Sequence, residues 1–129
     1  MNYILDTNAW LEYLVESKKG KVVNDLFERK NAVFFTLEST VSEILLWCLR
    51  EKQKFNEVFA LVRNKSLVEP IDLNKWVEAA RTRTEMRKTL KDFGLMDSLL
   101  IAMQKETGGI IVSGDPHFKS LKNALFLND

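Results

Sequence analysis

Two rhythms alternate along this chain: short stretches that are apolar at nearly every position, and longer ones in which apolar residues return every three or four. The first kind predicts strands at Asn2 to Leu5, Ala32 to Thr36, Ser66 to Ile71, Ile110 to Val112 and Ala124 to Leu127. The second predicts helices. Ala9 to Val15 is a short one, and Lys21 to Arg29 carries Val22, Val23, Leu26 and Phe27 at helical spacing. From Ser39 to Glu51, Val41, Ile44, Leu45, Cys48 and Leu49 trace a core-facing stripe. Phe55 to Val62 is a further helix, and Leu73 to Lys88 is long and polar. Met96 to Lys105 turns Met96, Leu99, Leu100 and Met103 inward until Gly108-Gly109 breaks it, and Asp115 to Leu121 makes a last helical turn. Strands separated by helices call for parallel pairing with both sheet faces covered. The expected fold is therefore an α/β, three-layer α/β/α sandwich around a central parallel sheet of four to five strands. No linker or internal repeat divides it, so residues 1–129 form one domain.

Composition sharpens the setting more than the shape. The 129 residues are 46% hydrophobic, enough to fill a core unaided, and the single Cys48 leaves no internal disulfide and suits a reducing compartment. No apolar stretch approaches the ~20 residues of a membrane span, and the opening residues do not read as an export signal, so a cytoplasmic location is expected. The net charge of +1 neither demands nor forbids a polyanionic partner, because acids gathered in one pocket can be offset by bases elsewhere.

Four acids fall where such a fold concentrates chemistry. Asp6 ends the first strand and opens the polar turn Asp6-Thr7-Asn8, at the carboxyl edge where α/β domains bind ligands; a helix N-cap explains it equally well. Glu43 interrupts an apolar helix beside Leu46 and Trp47, which calls for a partner, although a solvated position beside a protein contact is the plainer reading. Asp97 stands in the first turn of its helix, where the dipole favours negative charge, and Asp115 with Pro116 makes a good cap after the Ile110 to Val112 strand. Each alone has a structural explanation. Together they are more specific.

The segments Tyr3-Ile4-Leu5-Asp6-Thr7-Asn8, Ser42-Glu43-Ile44, Gly94 to Ala102 and Ile111 to Phe118 resemble PIN-domain nucleases of the small, single-domain VapC type over nearly the whole chain. The resemblance implies that Asp6, Glu43, Asp97 and Asp115 form the acidic quartet that binds Mg2+ or Mn2+, with Asn8 and Ser113 as polar neighbours. It implies a metal-dependent endoribonuclease acting as the toxin of a type II toxin–antitoxin pair, a homodimer, and a cognate antitoxin covering the acidic pocket. The last segment departs from the family in reading Asp-Pro-His-Phe where members often carry a second acid or another spacer.

The chemistry also follows from the residues. Two like charges ~5 Å apart repel by roughly 3 kcal/mol at an effective dielectric near 20, so clustered carboxylates need a cation. Oxygen ligands favour Mg2+ or Mn2+, and one histidine with one cysteine is too few for a usual zinc site. Asp6 and Asp97 are expected as principal ligands, Glu43 as ligand or water acceptor, and Asp115 as an outer or second-metal ligand. For the RNA backbone, Arg83, Arg87 and Lys91 recur every four residues and would form one ridge on a continuous helix, or simply a solvated face. His117 reads as structural, with polarising a phosphate as its functional alternative. Ile44 to Leu49 and the group Trp10, Leu11, Tyr13 and Leu14 offer more apolar surface than one sheet contact covers, which suits a partner or, equally, a larger core with extra helices packed over it. A haloacid-dehalogenase phosphatase would need an acid at Asn8, and a phospho-receiver domain a late-strand lysine that the chain lacks. A catalytically inactive PIN scaffold that binds RNA or protein is the alternative to the enzyme.

Overall fold

The structure, a computed structural model, describes residues 1–128. Strands β1 (Asn2–Leu5), β2 (Val33–Leu37), β3 (Leu67–Glu69), β4 (Ile110–Ser113) and β5 (Ala124–Phe126) form one sheet in the order β3-β2-β1-β4-β5, every pairing parallel. Helices α1 (Thr7–Leu14), α2 (Lys18–Phe27), α3 (Glu38–Arg50), α4 (Phe55–Lys65), α5 (Leu73–Met86) and α6 (Leu95–Thr107) connect them, and a 3-10 turn, Pro116–Phe118, follows β4. The expected three layers and parallel sheet are both present, with five strands.

The two-residue period of the strands divides the core. Tyr3, Leu5 and Val112 point to one face and pack with Trp10 of α1, Val23 and Leu26 of α2, Ile44 and Cys48 of α3 and Val62 of α4. Ile4 and Ile111 point to the other and pack with Ala79 of α5, Phe93, and Leu99, Leu100 and Met103 of α6. Between the two outer layers β1 is sealed on both sides, which is why its central residues are uniformly apolar. Lys75 to Glu106 at 3.0 Å and Lys105 to Glu78 at 2.8 Å clamp α5 to α6.

Several boundaries move for local reasons. Thr7 and Asn8 are already helical because Asp6 Oδ1 accepts from Ala9 N at 2.8 Å. Ser17 caps α2 three residues ahead of the expected start, its hydroxyl accepting from Gly20 N. Ser66 closes α4 instead of opening β3, donating to Val62 O at 2.8 Å. α5 stops at Met86, short of Lys88, while Gly108 ends α6 in the left-handed region as its glycine pair foretold. Three burial expectations are overturned. Leu49 is 69% exposed, turned outward beside the buried Cys48, and Met96 is 42% exposed where it borders the cleft at the start of α6. Trp10, expected at the surface, is fully buried because its indole N–H donates to Thr36 Oγ1 at 3.0 Å and its ring meets Tyr13 and Phe27.

From β1 the chain steps outward to β2 and β3, then crosses back and lays β4 along the opposite edge of β1. The connections leaving β1 and β4 thus diverge to either side of one crevice. Such a switch point is the place where open α/β sheets hold ligands.

Candidate active site

The crevice at the carboxyl ends of β1 and β4 is a cleft of about 80 Å³ lined by Asp6, Thr7, Asn8, Ser39, Thr40, Glu43, Met96, Asp97, Leu100 and Asp115. All four expected acids border it, and none of these ten residues is a lysine or arginine. Larger grooves exist at α1–α2–α4 and α5–α6, but in the latter Glu106 and Glu78 pair with Lys75 and Lys105, and Asp72 caps α5. The smaller cleft is where the four acids converge with no lysine or arginine among its lining residues.

Asp6 lies at the bottom, 5% exposed. Burial pushes its carboxyl up from 3.8 to about 7; hydrogen bonds from the Ser113 hydroxyl and Ala9 N work against this, and the nearby Asp115 and Asp97 charges add to it. The capping role read from sequence and the place in the acidic cluster are therefore held by one side chain at once. Asp97 is half-buried at the start of α6, where Gly94 N donates to its Oδ2 at 3.3 Å. Burial raises its pKa as well, against the Gly94 bond, while the Asp115 charge adds to the rise and His117 opposes it. Asp115 sits two residues past β4; its N–H donates to Ser113 Oγ at 2.9 Å and its Oδ1 accepts from His117 N at 2.9 Å.

Glu43 comes from across the cleft on α3 and is exposed, not set within an apolar face as its neighbours in sequence suggested. Its partner is the Thr7 hydroxyl, which donates to Oε1 at 2.5 Å. Asn8 and Ser113 hold the frame: Asn8 Oδ1 accepts from Gly114 N at 2.8 Å, tying the loop after β1 to the loop after β4. A Cβ on Gly114 would stand 2.5 Å from that oxygen, so a larger residue there would have to displace the Asn8 amide.

Sequence reasoning missed three residues here. Thr7, Ser39 and Thr40 line the cleft, and the last two were readable as the turn of α3 preceding Glu43 on the same face. His117, read from sequence as structural with a phosphate-polarising alternative, places Nδ1 3.2 Å from Asp97 Oδ2 and 3.6 Å from Asp115 Oδ1. The basic ridge, by contrast, is broken. Arg83 occupies the last turn of α5, Arg87 caps it with Nε donating to Phe93 O at 2.8 Å, and Lys91 lies in the following turn outside any helix. The expected helical face stops where Leu90 N closes back on Met86 O.

A parallel, doubly wound domain with a carboxylate-lined crevice at its switch point is the class that fold and site define. The chain belongs to the PIN domain family, whose model matches residues 3–124. Among curated proteins, none matches it in sequence. Its fold is similar to that of VapBC2 from Rickettsia felis bound to a promoter DNA fragment, at 16% identity and a TM-score of 0.75 over 98% of this chain and 97% of that one. It is similar to VapC20 of Mycobacterium tuberculosis, a sarcin-ricin loop cleaving toxin, at 15% identity and 0.73 over 92% and 93%. VapBC-1 from nontypeable Haemophilus influenzae matches at 14% identity and 0.70 over the full length of both chains. No helix among the described residues is long and apolar enough to cross a membrane.

Proposed function

We propose that this chain is a Mg2+- or Mn2+-dependent endoribonuclease, a single nuclease domain over residues 1–129 that serves in the cytoplasm as the toxin of a type II toxin–antitoxin pair. The convergence of Asp6, Glu43, Asp97 and Asp115 on one cleft without a lysine or arginine among its lining residues carries the reading. The donor set fits a hard divalent cation: four carboxylates border the cleft, and burial raises the Asp6 pKa, a cost that a bound cation would relieve. A bound divalent cation supplies charge neutralisation at the scissile phosphate and a water of lowered pKa. In this assignment Asp6, Asp97 and Asp115 would hold the ion.

Glu43, exposed and steadied by the Thr7 hydroxyl, faces them as the acceptor that orients the attacking water. Asn8 and Ser113 keep the two loops, and so the acids, in register. Arg83, Arg87 and Lys91 are assigned to the RNA backbone, gathered around the α5–α6 connection that leads into Asp97 instead of on one helical ridge. The RNA-cleaving relative and the toxin–antitoxin complexes among the similar structures support both the substrate class and a cognate antitoxin. Exposed Leu46 and Leu49 on α3 and Leu73, Trp76 and Val77 on α5 support association, including a homodimer.

The decisive experiment incubates purified protein with end-labelled RNA and Mg2+ or Mn2+, alongside chelator and Asp6→Asn controls. Cleavage lost in both controls is expected; cleavage indifferent to both refutes the assignment, and RNA binding without cleavage would favour the inactive scaffold.

A further inference from the structure

The histidine at the cleft wall is set more firmly than a capping turn requires. His117 belongs to the Pro116–Phe118 turn, and its ring lies against Phe93 with centroids 5.8 Å apart. Its Nδ1 aims between Asp97 Oδ2, at 3.2 Å, and Asp115 Oδ1, at 3.6 Å. Each of those oxygens already accepts a backbone N–H, from Gly94 at 3.3 Å and from His117 itself at 2.9 Å. The main chain therefore holds both carboxylates, and Nδ1 adds a hydrogen bond to Asp97 Oδ2 that a shared cation would replace. One ligand atom from each of Asp97, Asp115 and His117 lies within 4.8 Å of the others. Around an octahedral ion with ~2.1 Å bonds, adjacent ligands stand ~3.0 Å apart and opposite ones ~4.2 Å, so this is the spacing of atoms sharing one cation.

We propose that His117 Nδ1 is a nitrogen ligand of the cleft, making the centre an oxygen–nitrogen site that takes Mn2+, or another borderline divalent cation, ahead of Mg2+. The inference rests on the metal site of the preceding subsection and adds to it a ligand and a selectivity. The chemistry is that of donor softness. Imidazole suits first-row transition ions, whereas Mg2+ takes oxygen nearly to the exclusion of nitrogen. The lone histidine and lone cysteine of the chain argued against a usual zinc site, but one nitrogen among several carboxylates is enough to tilt preference between two ions that oxygen alone would accept equally. In this role Nδ1 offers its lone pair and the ring proton resides on Nε2.

The test is pulsed electron paramagnetic resonance on the full chain loaded with Mn2+, which detects nitrogen bonded to the ion directly. A 14N coupling is expected in the wild type, lost in His117→Asn, whose shorter amide keeps a polar group in place. Titrations should show Mn2+ affinity falling roughly tenfold in His117→Asn and Mg2+ affinity changing less than about threefold. Mn2+ bound without nitrogen coupling, or equal losses for both ions, overturns the proposal and leaves the oxygen-only metal site standing. No Mn2+ bound by the wild type overturns both together. The wild-type spectrum alone separates these outcomes, so a variant that failed to fold would not protect the proposal.

Discussion

Asp6 combines an N-cap with a buried place among other acids, and the combination sets how stability follows pH. With its carboxyl raised to about 7 in the metal-free fold, both folded and unfolded chains are protonated below ~3.8. Between ~3.8 and 7 the unfolded chain ionises while the folded one keeps its proton, so stability falls as pH rises, and above 7 the loss levels off. Asp6→Asn, which retains an oxygen for Ala9 N, is expected to exceed the wild type above pH 7 in chelator by on the order of 2–4 kcal/mol. The advantage should vanish near pH 4. Urea unfolding at several pH values checks it, and a constant difference would contradict the assignment. A second residue-scale case is the directed chain in which Trp10 Nε1 donates to Thr36 Oγ1, Thr36 to Ser66 at 2.7 Å, and Ser66 to Val62 O. Because Ser66 gives its only proton to the carbonyl, Thr36 must donate to Ser66 and is left to accept from the indole. Thr36→Val strands a buried N–H and should cost about 1–3 kcal/mol by denaturant unfolding, whereas a neutral result would show that the indole finds another partner.

Elements were legible where period and burial agree. β1, β2 and β4 stood out as uniformly apolar runs because a sheet covered on both faces buries every side chain, and the acids were visible as polar stops at strand ends or helix starts. Legibility failed where a single side chain decides. Ser17 and Ser66 shift boundaries through one hydroxyl each, and the basic ridge ends because Arg87 turns its guanidinium to the Phe93 carbonyl. Trp10 was misread since α1 is apolar on more than one side, and only tertiary pairing with Thr36 shows which side faces in. The place of His117 depends on the direction of a three-residue turn, which no periodicity encodes. Helix crossing is equally silent in sequence: at Gly20 a Cβ would meet Glu12 O at 2.1 Å, so α2 rests directly on the backbone of α1. Helix propensity alone would make Gly20→Ala stabilising by ~1 kcal/mol. The contact predicts the opposite, a loss of at least about 1–3 kcal/mol by thermal or urea melts, and a gain would refute so close a crossing.

At the scale of the whole molecule, apolar surface is left over. Leu46 is 66% exposed, Leu49 69% and Leu73 76%, with Trp76 and Val77 beside Leu73 on the outer face of α5. If these helices carry the proposed homodimer, Leu46→Glu with Leu49→Glu, or Trp76→Lys, should move the light-scattering mass from two chains to one. Circular dichroism should remain unchanged, since none of these side chains belongs to the core. A dimer untouched by both changes would place its interface elsewhere.

The placement of β4 against β1 has a consequence for the chain as it is made. Asp6 and Glu43 leave the ribosome before Asp97 and Asp115, and β1 keeps one open edge until β4 follows. A translation product cut short just before β4 carries Asp6, Glu43 and Asp97 without Asp115 and without the strand that seals β1. Under the proposed assignment such fragments are inert, because the acidic centre is complete only once β4 and the turn after it have been made.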